Sequence, residues 1–290
     1  MGPEQLAVAV VAIAVTAVVL AYWLVVVTEG AYLGEMAVRW LYDRGAETYD
    51  DVKRFSRPDE VASLGNPLLN RLEESFGSRA QVLDVATGTC RLPLALLDIP
   101  FFEGDVVGLD ASPRMLAIGA RKTGQWPGRV HLVRHSAVPL PFGDQSFDAV
   151  TMLEALEFLP DRSAALREIT RVLRSGGWLL VTNRIGVDAA LMPGKVDSPL
   201  DFERRLQELG LVDVRTQPWQ SFYSLVWARK PGAAREPSPA PSARRWPAML
   251  ECPACGADGD WSSSASTADQ LTCGRCGSRV RRSRLVWALD

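Results

Sequence analysis

Val82-Leu83-Asp84-Val85-Ala86-Thr87-Gly88-Thr89-Cys90 reads as an apolar strand that runs into a loop of small residues and then into a helix beginning near Leu92. Small residues let a backbone approach a ligand closely, and a helix N-terminus offers free N–H groups. A second apolar strand ends in Val106-Val107-Gly108-Leu109-Asp110, which sets Asp110 22 residues after Gly88. An acid at such a strand end can accept two hydrogen bonds from a ribose diol, and ligands of open parallel sheets bind beyond the carboxyl ends of the strands. The alternative for Asp84 and Asp110 is plain helix capping.

The flanking sequence repeats the strand–helix alternation. Strands are expected at Gln81–Val85, Asp105–Leu109, Val130–Arg134, Ala149–Leu153 and Trp178–Thr182, with helices of about ten residues between most of them. Val212–Gln217 and Phe222–Arg229 lie close enough to pair as a closing antiparallel hairpin. The fold expected is α/β: a doubly wound, mostly parallel, seven-stranded sheet covered by helices on both faces.

Before this unit stands Leu6–Val27, 22 residues without a charge. As a helix it would be about 33 Å long, close to the hydrocarbon core of a bilayer. Glu4 in place of a basic flank, and no small-residue cleavage site just after Val27, favour a retained anchor over a removed leader. Basic residues follow the apolar run (Arg39, Arg44, Lys53, Arg54, Arg57) and none precedes it, which places the N-terminus outside and the rest in the cytoplasm. Trp23, Tyr32 and Trp40 are candidates for the inner headgroup layer, and Trp40 could equally pack on the folded unit. The division expected is an anchor over 1–30, an α/β domain over 31–230, a Pro/Ala/Ser/Arg linker over 231–247 and a small module over 248–290.

That last module holds two Cys-x-x-Cys-Gly knuckles, Cys252/Cys255 and Cys273/Cys276, with 17 residues between them. The spacing is that of four thiolates around one tetrahedral ion. Zn²⁺ suits them best, with iron or two disulfides as alternatives. So small a unit with few apolar residues needs such a staple to fold. A closed four-thiolate site is structural by default. Arg275, Arg279, Arg281, Arg282 and Arg284 make the module basic, which suits an anionic lipid, nucleic acid, an acidic protein partner or simply water.

The ordered motifs between residues 40 and 230 resemble the class I S-adenosylmethionine-dependent methyltransferases, and within them the quinone-biosynthesis C-methyltransferase branch. The residues that carry the resemblance are Leu83–Thr89 (LDVATGT), Gly108–Leu116 (GLDASPRML), Leu140–Val150 (LPFGDQSFDAV) and Leu166–Asn183 (LREITRVLRSGGWLLVTN), with Tyr42-Asp43-Arg44 and Tyr49-Asp50 ahead of them. The resemblance implies a Rossmann-like fold and S-adenosylmethionine as cofactor. It implies that Asp84 and the backbone at Ala86 and Gly88 hold the methionine part, and that Asp110 takes the ribose hydroxyls. By the same token Met115 packs on adenine, Ser136 and Ala137 meet the adenine edge, and Leu153 and Glu154 face the sulfonium and acceptor. Tyr49 joins a lid, and Glu157 stands where relatives often carry a His. Glu154 and Glu157 are the acids nearest the acceptor side. The chain departs from the family at Cys90, where a third glycine is usual, and at Ser136, where an acid or amide is usual.

The reading that results is a membrane-anchored methyltransferase acting on a small or lipid-soluble acceptor. Its rival is a non-catalytic methyltransferase-fold scaffold or sensor that docks a partner through the cysteine module. Lys+Arg 32 against Asp+Glu 34 argues against a dedicated nucleic-acid partner. A nicotinamide dehydrogenase is disfavoured because Ala86 and Cys90 break the G-x-G-x-x-G fingerprint. At 47% hydrophobic and 23% charged residues, wholesale disorder is excluded.

Overall fold

Why the chain folds as alternating layers is visible in its strands. In a computed structural model, which describes residues 2–233, 246–263, 269–283 and 285–289, helices α1 (Pro3–Tyr22), α2 (Glu35–Gly45), α3 (Tyr49–Lys53), α4 (Arg57–Glu60) and α5 (Asn66–Ser75) precede the first strand. Then come β1 (Gln81–Val85), α6 (Arg91–Leu97), β2 (Asp105–Asp110), α7 (Pro113–Thr123), β3 (Val130–Arg134) and β4 (Phe147–Met152). The domain closes with α8 (Arg162–Val172), β5 (Leu173–Arg184), α9 (Gly186–Ala190), α10 (Pro199–Glu208), β6 (Val212–Pro218) and β7 (Tyr223–Arg229). Every residue of β1 and β4 is buried, as central parallel strands require when helices cover both faces. Most of the expected linker lies outside the described residues.

Strands β1, β2, β3, β4 and β5 are parallel, whereas β7 pairs antiparallel with β5 and with β6. β1 lies between β2 and β4, so the strand order reverses there and the crevice beyond the strand ends opens at that point. The doubly wound class and the closing hairpin are as expected. The sheet is larger than the seven strands expected, because β3 would otherwise expose an unpaired edge. Four short strands from the cysteine module continue it: β8 (Trp261–Ser263), β9 (Gln270–Cys273), β10 (Arg279–Ser283) and β11 (Val286–Ala288). β11 lies parallel to β3 in the register Val286↔Leu132, Trp287↔Val133, Ala288↔Arg134. Among the described residues the sheet has eleven strands, in the order β6-β7-β5-β4-β1-β2-β3-β11-β10-β9-β8.

The apolar run forms a continuous helical stretch, Pro3–Val27, none of it buried in the protein; among the described residues it is the one helix long and apolar enough to cross a membrane. Its end is fastened to the domain. Trp23 donates to the Leu191 carbonyl at 3.2 Å and Tyr32 to the Pro193 carbonyl at 2.7 Å. Glu29 accepts from Tyr42 at 2.9 Å and pairs with Arg184 at 3.1 Å. Trp23 and Tyr32 stack on each other, while Trp40 is 59% exposed.

Cys90 shows how the glycine-poor loop is tolerated. It is the N-cap of α6, with φ 68° and ψ 40°, a left-handed conformation in which glycine is unstrained and other residues cost of order 1–2 kcal/mol. Its side chain is fully buried against Gly119 of α7, where an added Cβ would sit 2.4 Å from Cys90 Sγ. Burial pushes the thiol pKa up, so the group is a packing atom between two helices and not a nucleophile. Gly119→Ala is therefore expected to destabilise the chain by about 1–3 kcal/mol through overpacking. Adding Cys90→Gly should recover part of that loss. Denaturant unfolding of the two single variants and the double variant measures the coupling, and strictly additive losses would contradict the contact.

Candidate active site

Three loop residues turn the chain from β1 into α6 with positive φ: Ala86 at 55°, Gly88 at 54° and Cys90 at 68°. The alternation folds the loop back under the end of β2. Asp110, the last residue of β2, holds it there. Its Oδ2 accepts from Gly88 N at 2.8 Å and its Oδ1 from Ser112 N at 2.8 Å. Burial pushes the Asp110 carboxyl up to about 6, against the pull of those two N–H groups. Asp84 is buried one strand away and accepts from Thr151 at 2.6 Å and Thr87 at 2.7 Å. Burial raises it to about 6 as well.

Beyond the ends of β1, β2 and β4 lies a cleft of about 770 Å³, counted out to open solvent. Of the expected residues, Tyr49, Ala86, Gly88, Asp110, Met115, Ala137, Leu153 and Glu154 line it. A smaller adjoining lobe shares Tyr49, Ala86, Gly88, Leu153 and Glu154 with it, and adds Asp84, Thr87 and Arg91. Two expected residues stand elsewhere. Ser136 is not among the described residues of the wall; its hydroxyl accepts from Val138 N at 3.4 Å, and its neighbour His135 lines the cleft instead. Glu157 is buried behind the wall, where it accepts from Tyr223 at 2.5 Å and pairs with Arg184 at 3.1 Å. Burial raises its carboxyl and the Arg184 guanidinium opposes the rise. Glu157 lies within one turn of 3-10 helix, Leu156–Phe158, that carries it away from the cleft, whereas Glu154 stands before the turn and lines the cleft.

Glu154 has φ 51° and anchors an ion network. Lys53 contacts its carboxylate at 2.8 Å and Arg91 at 2.6 Å, and Arg91 reaches on to Glu60 at 2.7 Å. Burial alone would raise the Glu154 carboxyl, but the two cations outweigh it and hold it below the ordinary value. The Arg91 guanidinium lies between the rings of Phe55, 4.0 Å from its centroid, and Trp219, 4.6 Å from its centroid. The Glu154 carboxylate therefore stays ionised at neutral pH, with its charge met by the two cations.

The N-terminal helices form the roof. Val38, Arg39 and Tyr42 of α2 and Tyr49 of α3 face the cleft. Asp43 accepts from Ser112 Oγ at 2.5 Å, and Asp50 from Thr89 Oγ at 2.6 Å and Lys122 at 2.6 Å. Each acid thus ties the roof to a strand-end loop. Sequence reading placed Tyr49 in a lid but gave no role to Asp43, Asp50, Tyr42 or His135. The one signal for the roof was the repeated Tyr-Asp pair at 42–43 and 49–50.

A second constellation is formed by Cys252, Cys255, Cys273 and Cys276, whose sulfurs all lie within 4.8 Å of one another. The Cys252–Cys276 sulfurs are 3.6 Å apart and the Cys255–Cys273 sulfurs 3.8 Å. A tetrahedron with Zn–S bonds of about 2.3 Å has edges of about 3.8 Å, whereas a disulfide needs about 2.05 Å. The donor set fits one tetrahedral thiolate-bound ion.

Comparison with known proteins agrees with this geometry. Residues 83–181 match the family model described as methyltransferase domain. The demethylmenaquinone methyltransferase of Staphylococcus haemolyticus is 43% identical over 143 residues, which cover 49% of this chain and 59% of that protein. That of Geobacillus kaustophilus is 40% identical over 111 residues, 38% of this chain and 47% of that protein. The chain thus spans about half the length of the curated relatives it matches. A chain from the solved complex between the Haloferax volcanii Trm112 methyltransferase activator and a methyltransferase superposes with a TM-score of 0.51 at 19% identity, covering 66% of this chain and 98% of that one. That likeness speaks to the fold. The motifs stand in order, the strand order reverses beside β1 and a cleft lies at the strand ends, in keeping with the match of residues 83–181 to the methyltransferase domain model.

Proposed function

We propose that the chain is a membrane-anchored, S-adenosylmethionine-dependent methyltransferase whose acceptor is lipid-soluble and of the quinone type. The division that goes with this is an anchor over 1–30, a methyltransferase domain over 31–230 and a metal-binding module over 248–290, with the domain on the cytoplasmic side. The curated relatives named above are demethylmenaquinone methyltransferases, which is the support for the acceptor class.

The observation that carries the reading is the position of α2. It begins eight residues past the end of the apolar stretch, and Gly30 between them backs onto Leu41 so closely that an added Cβ would lie 2.8 Å from its Cδ1. Val38, Arg39 and Tyr42 of this helix wall the cleft. Its outer side shows Met36, 78% exposed, and Trp40, 59% exposed, with the Arg44 guanidinium over the Trp40 ring. One short helix therefore faces the cofactor cleft on one side and the layer where the anchor leaves the bilayer on the other. Apolar and aromatic residues with a flanking arginine suit the headgroup region.

The cleft also suits the cofactor. Each Asp110 oxygen accepts one backbone N–H and keeps a lone pair for a ribose hydroxyl. Met115 supplies an apolar floor for adenine, with Ala137 and His135 at its edge. Asp84, Ala86 and Gly88 border the smaller lobe, which takes the methionine end. S-adenosylmethionine supplies a methyl group activated by its sulfonium. The ionised Glu154 carboxylate places negative charge beside that cation and orients it. Burial raises the Tyr49 phenol, so it stays protonated and can donate to an acceptor oxygen, whereas the Tyr42 proton is already committed to Glu29. Glu157, set behind the wall, supports Tyr223 and Arg184 and takes no part in the cleft.

Calorimetric titration of S-adenosylhomocysteine into the full chain in nanodiscs is expected to show micromolar binding that Asp110→Ala abolishes. Absence of binding to folded chain would transfer support to a non-catalytic scaffold. Asp110 and Asp84 both have folded values raised to about 6, above the ordinary 3.8. In the unliganded chain they therefore contribute stability that is present below about pH 4 and lost as pH rises through about 6. The ribose diol needs the ionised form, so binding should tighten as pH rises towards 6 and level off above it. The slope should reach about tenfold per pH unit for each group and become shallower in Asp110→Asn. A flat profile between pH 5 and 7 contradicts the assignment.

The acceptor route has its own test. Met36→Glu with Trp40→Glu should lower methyl transfer to a long-chain demethylated naphthoquinol in nanodiscs by tenfold or more. Transfer to a short-chain, water-soluble analogue should stay within twofold of the unaltered chain. Equal effects on both acceptors would remove α2 from the route.

A further inference from the structure

The cysteine module contacts the domain at both ends of one wall of the cleft, and the residues that do so stand next to the metal ligands in sequence or in the sheet. Glu251, the residue before Cys252, donates its N–H to the Pro141 carbonyl at 3.0 Å. Gly143 donates to the Met249 carbonyl at 3.1 Å, and Phe142 bridges Leu250. Met249 and Leu250 are fully buried and share the main apolar core with Ala137, Leu140 and Phe142. The fit is close: a Cβ added at Gly143 would lie 2.6 Å from the Asp258 carboxylate.

The second limb runs through the sheet. Cys273 closes β9, which pairs with β10, then β11, then β3. Leu289 donates to the Arg134 carbonyl at 3.4 Å, next to His135. Trp287 is buried in the main core, and Trp246 stacks flat on His131 of β3 at 4.9 Å and 7°. The segment from Arg134 to Gly143 is therefore held at its start by β11 and at its end by Met249–Glu251. Between those ends, His135 and Ala137 face the cleft.

We propose that the four-cysteine module is a built-in brace for the adenine side of the cleft, so that an ion held by Cys252, Cys255, Cys273 and Cys276 is required for tight cofactor binding although no ligand of that ion touches the cofactor. Without the ion the two knuckles lose their common tether. The short strands β8 to β11 then separate from β3, and the wall from Arg134 to Gly143 loses both supports. The inference rests on the cleft being the S-adenosylmethionine site.

The test uses the full chain in nanodiscs, loaded with one Zn²⁺ and then stripped by a chelator under reducing conditions. S-adenosylhomocysteine affinity should fall at least tenfold on stripping and return when Zn²⁺ is restored. Backbone amide exchange should quicken across 135–143 and stay unchanged in β7, at the far side of the sheet. Leu289→Pro, which removes the bond to Arg134 and leaves all four cysteines, should keep its Zn²⁺ and still bind S-adenosylhomocysteine more weakly. Equal affinity in the loaded and stripped chains overturns the brace and leaves the cofactor assignment standing. No binding even to the loaded chain overturns both. Loss of β7 protection on stripping also overturns the brace, because the module would then hold up the whole domain and not one wall.

Discussion

The two hydrogen bonds that Asp110 accepts, from Gly88 N and from Ser112 N, join the end of β2 to the loop after β1 and to the start of α7. A carboxylate can do this because it offers several acceptor sites in one plane. Once the loop is pinned, Ala86, Gly88 and Cys90 are held in left-handed conformations that two of the three would not adopt freely. Cys90 then falls between α6 and α7, and Ser112 falls where Asp43 of the roof can reach it. Floor, loop and roof are thus coupled through one half-buried acid, and its desolvation raises its pKa.

Around that centre the domain solves two problems of unpaired groups in different ways. The buried charge of Glu154 is met by Lys53 and Arg91, and Arg91 in turn by Glu60 and two aromatic faces. A buried network of this kind orders side chains more than it adds stability. The unpaired edge of β3 is met by β11, which brings the cysteine module against the cleft wall. Covering an edge strand prevents its pairing with another chain, and here the cover also reaches the loop that shapes the cofactor side.

Much of this was legible in the sequence because it rests on local chemistry. The strand–loop–helix at Val82–Cys90 and the acid ending β2 need only their own residues. The four cysteines are read from spacing, since a tetrahedral ion accepts few spacings. What escaped was decided by direction. Ser136 and His135 are neighbours, and the turn after β3 sends the histidine to the cleft and the serine to Val138 N. Glu154 and Glu157 are three residues apart, and the turn of 3-10 helix that begins at Leu156 carries Glu157 away from the cleft. Neither outcome has a signal in residue type.

The sequence by itself determined the parallel α/β class, the loop beneath the cleft, the apolar stretch at Leu6–Val27 and the clustering of four thiols, because each depends on periodicity, composition or spacing within one segment. The tertiary structure alone decided that α2 walls the cleft, that Glu29 bolts the helix end to Tyr42 and Arg184, and that β11 extends the sheet at β3. Those outcomes depend on which surfaces are left open once the core has closed. An unpaired strand edge and an unmet buried charge find their partners in space, and the partners stand as far as 155 residues away along the chain.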